Sequence, residues 1–390
     1  MPTGIGRLSD ATRIRICLVS DMLAEGWPSM DLFSEMLTRE LPKADSSIDV
    51  DSIRLPLKKR LGRLSGNAKG SATDRLLARH LDYPRAVRRK TPSADVYHVL
   101  DHTYAASINS LGDRTTVVTC HDLDAFEVLY SQTTFAEHIL AYFARITLRG
   151  LKSATHVVCD SATIQREIVS RGWVESASTS LIPAGIHPTC TVVPGDAADR
   201  TAESLLGPAT GPEILHVSST IPRKRIDTLV GSFASVLGDR PDARLIRVGG
   251  PFTKSQARMV SELGLENSIT VLPFLDRATL AAVYRRATLV VLPSEREGFG
   301  LPVIEAIACG TPALVSDIEV LHEVGASAVS YAPVGDDDGW ATAILDMLDE
   351  HDKHPQRWSE RIAAGIVHSR QYSWRQHARQ LVQLYHTLAH

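Results

Sequence analysis

Two glutamates eight positions apart stand out in residues 290–317, which read VVLPSEREGFGLPVIEAIACGTPALVSD. An apolar run predicts a buried strand, and Pro302 at an early position predicts a helix that begins at Leu301. Glu297 lies in the glycine-containing loop between them, and Glu305 is expected in the first turn of the helix. Free N–H groups and the helix dipole favour an anion there, whereas carboxylates accept hydrogen bonds from hydroxyl groups. The pattern therefore predicts a site for a ligand that carries both phosphate and hydroxyl groups.

The order of residues in this segment is similar to a known signature. EGFGLPVIEA, preceded by PS and followed by CGTP, resembles the signature of retaining glycosyltransferases of the GT-B fold, in the large GT4 family. The resemblance implies an α/β protein with two doubly wound Rossmann-like domains that face each other across a cleft, and a C-terminal helix that crosses back to the first domain. One alternative stays open at this point, namely glycines that serve turn geometry and glutamates that cap a helix.

The resemblance implies roles for the two glutamates and the loop between them. Glu297, with the backbone of Gly298, Phe299 and Gly300, is expected to hold the sugar hydroxyls of a donor. Glu305 is expected to hold the two ribose hydroxyls, because a carboxylate only accepts hydrogen bonds and suits a vicinal diol. Weaker contacts to the nucleotide are expected from Leu301 and Leu275.

A basic pair is expected to bind the diphosphate. Arg223 and Lys224 precede a helical pattern and resemble the family's phosphate-binding lysine and its neighbour. Cations at this place would neutralise the charge that builds on the leaving diphosphate. Many relatives carry a further arginine where Ser219 stands, so more of this task falls on the pair. A basic helix N-terminus without a ligand would oppose the helix dipole.

The first half of the chain contributes a histidine and a glycine loop. His121 begins the sequence HDL directly after a predicted strand, and ligands of open α/β sheets bind beyond the carboxyl ends of strands. The match to the family implies that His121 hydrogen-bonds the donor sugar. Gly26 begins the sequence GWPS in the first strand-to-helix turn, where many relatives carry a glycine pair beside the diphosphate. Whether Gly26 makes that contact is left open.

Size and composition predict the class of protein. The chain has 390 residues with 44% hydrophobic and 22% charged residues, as expected for a globular protein of two domains. Its net charge of −3 does not indicate nucleic-acid binding, and no apolar run is long enough to span a membrane. The five cysteines are scattered, which predicts reduced, buried thiols in a cytoplasmic protein. No cofactor is expected, because the nucleotide-diphosphate sugar is a substrate. No metal is expected, because no D-x-D lies at a suitable strand end and the resembled family generally works without one.

Alternating strand and helix patterns divide the chain. We predict an acceptor-side Rossmann-like domain at 1–193 and a nucleotide-sugar-binding Rossmann-like domain at 213–370. Residues 194–212 are rich in Ala, Asp, Gly, Thr and Pro, which predicts a linker, and 371–390 form the returning helix. The predicted strands include residues 14–20, 47–55, 95–100, 115–119, 155–159, 178–182, 244–248, 269–272, 289–292 and 313–315.

Residues 58–90 contain eleven basic and two acidic residues. One interpretation is a contact with an anionic membrane or a lipid-diphosphate acceptor, to which each basic residue contributes about 1 kcal/mol. An equally open interpretation is a solvated face with a flexible loop. Nucleic acid fits less well, because no aromatic residues alternate with the basic ones.

The function expected from the resemblance is transfer of a hexose, of mannose or glucose type, with retention of configuration. The donor would be a GDP- or UDP-linked sugar, and the acceptor a glycan, a lipid-linked sugar or a polysaccharide. A nucleotide-sugar epimerase of the same fold is an alternative, although the sequence does not reveal its acid–base pair. A non-catalytic binding protein is a further alternative, which the altered first loop and Ser219 favour and Glu297, Glu305 and Lys224 oppose.

Overall fold

The structure is a computed structural model, and it describes residues 13–60, 72–90 and 93–389. The strands of the described chain are β1 Ile14–Val19, β2 Ile48–Ile53, β3 Val96–Val99, β4 Thr116–Cys120, β5 His156–Cys159, β6 Thr179–Leu181, β7 Glu213–Val217, β8 Arg244–Val248, β9 Ile269–Leu272, β10 Leu289–Leu292, β11 Ala313–Ser316 and β12 Ser330–Ala332. Its α-helices are α1 Pro28–Ala44, α2 Ala72–Leu77, α3 Tyr83–Lys90, α4 Asp124–Glu127, α5 Phe135–Lys152, α6 Ala162–Ser170, α7 Asp196–Leu206, α8 Ile226–Asp239, α9 Lys254–Glu262, α10 Arg277–Arg286, α11 Leu301–Ala308, α12 Glu319–Gly325, α13 Asp337–Lys353, α14 Pro355–Ser369 and α15 Trp374–Ala389.

The described residues form two compact units. The first unit contains the described residues up to Gly185 and those from Trp374 onward, and the second unit is Ile186–Ser373. Each unit contains a six-stranded sheet, and its neighbouring strands are parallel. Parallel sheets of this kind are covered by helices on both faces. The expected α/β architecture of two doubly wound domains is confirmed for each unit.

The strand orders show where ligands should bind. The first sheet has the order β2-β1-β3-β4-β5-β6, and the second has the order β12-β11-β10-β7-β8-β9. The direction of winding therefore reverses between β1 and β3 in the first unit, and between β7 and β10 in the second. Ligands of doubly wound sheets bind beyond the carboxyl ends of the strands at such a switch point. Ligand-binding residues are therefore expected in the loops after these four strands.

Strand β10 shows how the second sheet is stabilised. Val290 and Leu292 belong to the apolar cluster on one face of the sheet, and Leu289 and Val291 belong to the cluster on the other face. All four side chains are buried, because side chains alternate between two covered faces. Burial of such a side chain contributes about 1.5–3 kcal/mol. The buried strand gives the loop that follows it a rigid origin.

Helix α15 belongs to the core of the first unit, as expected for a returning C-terminal helix. The Tyr385 hydroxyl lies 2.6 Å from Nδ1 of His98 in β3. The Trp374 ring meets Phe33 of α1 edge to face, with ring centroids 4.8 Å apart. Burial lowers the pKa of His98 to about 3, so this imidazole is neutral and fits a buried hydrogen bond.

Residues 194–212 are not simply a linker. Helix α7 occupies Asp196–Leu206, and Ala202 and Leu206 are buried in the core of the second unit. Asp199 pairs with Arg285 of α10, which fixes the helix on this unit. The prediction was wrong because only two apolar side chains of the helix are buried, too few to make a helical period visible.

The basic segment 58–90 is only partly described, and Arg63 and Lys69 lie outside the described residues. Arg60 donates two hydrogen bonds, of 2.9 and 2.8 Å, to the Asp82 carboxylate. Arg79 forms an ion pair of 2.8 Å with Glu25, whose side chain is buried. These pairs neutralise part of the positive charge that the sequence places in this segment.

Candidate functional site

The loop that connects β10 to α11 ends at a glycine that no other residue could easily replace. Gly300 precedes the helix with φ of +107°, and a Cβ built there would lie 2.9 Å from Cδ2 of Leu321. Positive φ and a close neighbour both favour glycine. Helix α11 then begins at Leu301, with Pro302 in its first turn. Within this turn Pro302 has no N–H and the Val303 N–H donates to the Gly300 carbonyl oxygen at 3.0 Å, so Leu301 supplies the N–H that can face an anion at the carboxyl edge of the sheet.

Glu297 accepts the hydrogen bonds of two cations in a buried cluster of ion pairs. Its side chain is 6% exposed, and its carboxylate lies 2.5 Å from Nζ of Lys224 and 3.2 Å from Nη1 of Arg223. The same Nη1 of Arg223 donates to the Arg296 carbonyl oxygen at 2.8 Å. Burial raises the pKa of Glu297, but the charges of Lys224 and Arg223 outweigh it, so the net pKa is lowered. Glu297 is therefore an ionised carboxylate shared by two cations.

Backbone contacts join the two loops at the switch point of the second sheet. The N–H of Glu295, in the loop after β10, donates to the Arg223 carbonyl oxygen at 2.8 Å. Arg223 and Lys224 lie in a short 3-10 turn after β7, and Arg225 ends this turn with φ of +47°. The structure thus brings together the basic pair and Glu297, which sequence analysis had selected from positions 73 apart.

Glu305 is a buried carboxyl group in the second turn of α11. The sequence analysis placed it in the first turn, but the helix begins at Leu301, so Glu305 is its fifth residue. The Tyr284 hydroxyl donates to Oε2 of Glu305 at 3.1 Å. Burial raises the pKa of Glu305 to about 7, although the Tyr284 bond and the Arg277 charge act in the opposite direction. A carboxyl group that titrates near neutral pH is a common feature of functional sites.

The other expected nucleotide contacts lie around these charges. Phe299 is buried, with its ring 5.6 Å from Tyr372 in an edge-to-face arrangement, so its side chain anchors the loop. The backbone of Gly298 is buried beside it. Ser219 is half-buried in the loop after β7, and Leu275 is half-buried against the core. These residues lie in or near the loops after β7, β9 and β10, and they contribute no charge.

His121, in the first unit, uses both ring nitrogens within the protein. Nδ1 lies 2.5 Å from Oδ2 of Asp160, and Nε2 lies 2.7 Å from the Leu100 carbonyl oxygen. A carboxylate and a carbonyl both accept hydrogen bonds, so both ring nitrogens donate and the ring is an imidazolium. Burial lowers the pKa of His121, but Asp160 outweighs it and raises the pKa to about 9. This geometry corrects the expectation that the ring of His121 hydrogen-bonds a sugar, since both ring nitrogens already have partners within the protein.

Sequence analysis missed a carboxylate at the switch point of the first sheet. Asp21 follows β1 and Asp101 follows β3, and the side chains of both are 3% exposed. Burial, and then the charge of Asp101, raises the pKa of Asp21 to about 7, although Arg54 lies 3.3 Å away. Among the described residues, Oδ2 of Asp21 has no hydrogen-bond partner. The sequence feature that could have revealed this pair is an aspartate directly after each of the two predicted strands, 14–20 and 95–100.

Gly26 ends a 3-10 turn, Leu23–Glu25, with φ of +68°. A Cβ built on it would meet nothing within 4 Å, so its conformation rather than a close contact favours glycine. Trp27 follows it, and the Arg79 guanidinium lies 4.9 Å from the centre of the Trp27 ring. The loop is thus held by Arg79, and its contact with a diphosphate stays a prediction.

Neither a metal centre, a disulfide nor a membrane-spanning helix occurs in the described part of the chain. No three His, Cys, Asp or Glu side chains of that part are arranged to hold a metal ion, and all five cysteines are free thiols. None of the described helices combines the length and the apolar composition needed to cross a bilayer. That the reaction needs no metal stays a prediction.

Comparison with known sequences supports the family that the signature resembles. Residues 199–364 match the family Glycosyl transferases group 1. The D-inositol 3-phosphate glycosyltransferase of Thermobispora bispora is 28% identical over 60% of this chain and 56% of that protein. The O-antigen chain mannosyltransferase RfbU of Salmonella typhimurium is 27% identical over 60% of this chain and 61% of that protein. The chain spans about half the length of the curated relatives it matches.

Comparison with solved structures establishes the fold. Sucrose-phosphate synthase from Thermosynechococcus elongatus has a TM-score of 0.75 and 22% identity, and the match covers 96% of this chain and 99% of that chain. Anabaena HepE in complex with UDP and glucose has a TM-score of 0.72 and 16% identity, over 96% and 100% of the two chains. The fold is therefore GT-B, and residues 199–364 within it match the Glycosyl transferases group 1 family.

Proposed function

We propose that this protein is a retaining glycosyltransferase of the GT4 family that uses a nucleotide-diphosphate sugar. It transfers a hexose of mannose or glucose type from a GDP- or UDP-linked donor to a glycan, lipid-linked or polysaccharide acceptor. The observation that carries the proposal is the buried cluster of Arg223, Lys224 and Glu297 at the switch point of the second sheet. The UDP and glucose bound to HepE support this class of donor, and the activities of the two relatives support glycosyl transfer.

The basic pair would stabilise the leaving diphosphate. Lys224 is 9% exposed and is held in place by Glu297, so little reorganisation is needed when an anion binds. The N–H of Leu301 would add a donor at the positive end of the helix dipole. Because the diphosphate gains charge as the glycosidic bond breaks, these groups stabilise the transition state more than the ground state.

The two glutamates would hold hydroxyl groups at different points of the donor. Glu297 is ionised and could accept hydrogen bonds from the sugar, together with the backbone from Gly298 to Gly300. Glu305 would accept from the ribose diol, where its partner Tyr284 already orients the carboxyl group. Hydrogen bonds from a diol favour the ionised form of Glu305, so nucleotide binding should lower its pKa.

The first unit would bind the acceptor. Asp21 places at its switch point a carboxyl oxygen that has no hydrogen-bond partner among the described residues, and an acceptor hydroxyl could donate to it. Both oxygens of Asp101, which follows the neighbouring strand, already accept hydrogen bonds from Thr103. His121 would contribute a positive charge rather than a hydrogen bond. Contact of segment 58–90 with an anionic membrane stays a proposal, which salt-dependent sedimentation with anionic vesicles would test. The cytoplasmic location also stays a prediction.

A thermal-shift screen with UDP, GDP, ADP and their sugar conjugates tests the proposed function. A ligand at 100 times its dissociation constant adds about 2.7 kcal/mol to the free energy of unfolding, which is a readable shift. The account expects a shift with one base, and then release of the free nucleoside diphosphate only when an acceptor is present. Conversion of the donor into an isomeric nucleotide sugar without net release of nucleoside diphosphate would favour an epimerase, and no shift with any ligand would contradict the proposal.

A further inference from the structure

Arg247 is a buried cation in the middle of an apolar sheet. It lies in β8 directly opposite His216 of β7, in the register of two central strands. Both side chains have 0% exposure. Its neighbour Leu245 belongs to the apolar cluster on the same face of the sheet, where an aliphatic side chain would be the usual choice.

The contacts of this guanidinium are carbonyl oxygens and an aromatic ring. Nη2 donates to the Ser218 carbonyl oxygen at 3.1 Å, and Nη1 donates to the Gly250 carbonyl oxygen. The Phe252 ring centre lies 5.2 Å from the guanidinium carbon. In the part of the chain that the structure describes, Nε has no partner and no carboxylate pairs with Arg247. The positive charge is thus solvated by dipoles but has no counter-ion.

A buried charge without a counter-ion is costly, so its presence needs a reason. Desolvation costs several kcal/mol for an ion in a protein interior. Burial lowers the pKa of Arg247 to about 10, which still leaves the side chain charged at neutral pH. Burial, and then the charges of Arg247 and Lys224, lowers the pKa of His216 well below its usual value. The charges of Arg247 and Lys224 therefore both act on His216, which stays neutral.

The loop held by Arg247 leads to the proposed diphosphate site. Ser218 and Ser219 follow β7, and four residues later the chain reaches the basic pair. Gly249 lies so close to this loop that a Cβ would come within 1.9 Å of the Ser218 carbonyl oxygen. Ser219 is half-buried and contributes no charge, so this loop carries no cation of its own before Arg223.

We propose that Arg247 is the positioning residue whose buried charge, behind the loop at Ser218 and Ser219, attracts the diphosphate to the basic pair that follows this loop. The inference rests on the proposed function, because the missing counter-ion is the diphosphate of the donor. Arg247 acts through the loop that it hydrogen-bonds and through the potential that it adds to that of Lys224. It does not touch the ligand.

Calorimetric titration of the full chain can separate charge from structure. UDP, GDP, ADP and the three matching nucleosides are titrated into the wild type, Arg247→Gln and Arg247→Lys. The quantity of interest is the ratio of nucleoside to nucleoside-diphosphate dissociation constants, which reports the contribution of the phosphates. We expect Arg247→Gln to lower this ratio about tenfold and Arg247→Lys to preserve most of it. Arg258→Gln, on the same unit with a side chain 80% exposed, is the matched control and should leave the ratio unchanged.

The alternative outcomes are distinct. Equal loss of nucleoside and nucleoside-diphosphate affinity in Arg247→Gln, or equal ratios in the Gln and Lys variants, would show a purely structural role and overturn the inference. If Arg247→Gln does not fold, Arg247→Met replaces it, because an apolar side chain of similar length is tolerated where a buried ion was. A wild type that binds none of the three nucleotides would overturn the proposed function and this inference together.

Discussion

The two units have sheets of the same size, but cations predominate at the carboxyl edge of the second sheet and carboxyl groups predominate at that of the first. Both have six parallel strands and one switch point in strand order. In the second unit the edge is basic, with Arg223, Lys224 and the buried Arg247. In the first unit, aspartates follow β1, β3 and β5, namely Asp21, Asp101 and Asp160.

This difference shows that similar folds have been given different chemistry at the same topological place. A basic edge suits an anionic diphosphate, whereas an acidic edge suits groups that donate hydrogen bonds, such as the hydroxyls of an acceptor. The fold alone would not distinguish these uses, because function depends on the side chains placed on it. Variants of both edges test whether the two units differ in this way.

The largest effect is expected from Glu297→Gln in the second unit. Replacing the carboxylate by an amide removes the charge that orients the basic pair and leaves one neutral, weaker acceptor for sugar hydroxyls. We expect kcat/KM to fall by about 10²–10³, as for loss of one preorganised group in an active site. Steady-state kinetics on folded protein measures this, with Glu295→Gln, an exposed neighbour, as the control. Turnover within threefold of the wild type would contradict the account.

Removing the same side chain should also destabilise the second unit. Glu297→Ala leaves Lys224 buried without its carboxylate, and breaking a buried ion pair costs about 3–5 kcal/mol. The exposed pair Arg258–Glu262 provides the comparison, since Glu262→Ala should cost less than about 1 kcal/mol. Urea unfolding of the two variants decides the question. Equal losses of unfolding free energy would mean that the cluster is not buried as described.

In the first unit, Asp160→Asn should abolish the imidazolium. The folded pKa of His121, about 9, is above its ordinary value of 6.5, so this group stabilises the fold below pH 6.5. That stabilisation is lost as the pH rises from 6.5 to 9. In the variant, NMR titration should give a His121 pKa well below 9, and stability should change less over this pH range. An unchanged titration curve would show that Asp160 is not the cause.

The smallest effect is a proton released on nucleotide binding. Glu305 has a raised pKa of about 7, and binding of a diol should lower it. Calorimetry at pH 7 in two buffers of different ionisation enthalpy should therefore detect release of a fraction of a proton. Glu305→Gln should remove this release. Identical enthalpies in both buffers for the wild type would argue against Glu305 as the ribose acceptor.

Much of the second unit was predictable because β8, β9 and β10 are short and are each followed directly by glycine or proline. The predicted bounds of β8, β9 and β10 coincide with those of the structure. The role of Arg247 could not be predicted, since a basic residue in a strand pattern is normally a solvated one. The state of His121 depends on Asp160, which lies 39 positions away and meets it only in the folded sheet.

Hydrogen–deuterium exchange of the full chain, with and without the nucleoside diphosphate that stabilises it, tests the central claim most directly. The claim is that the basic edge of the second unit binds the diphosphate. The account predicts the strongest protection in residues 218–224 and 295–302, the loops that carry Arg223, Lys224 and Glu297. Protection confined to the loops after β1 and β3 would place the anion on the acidic edge and contradict the account.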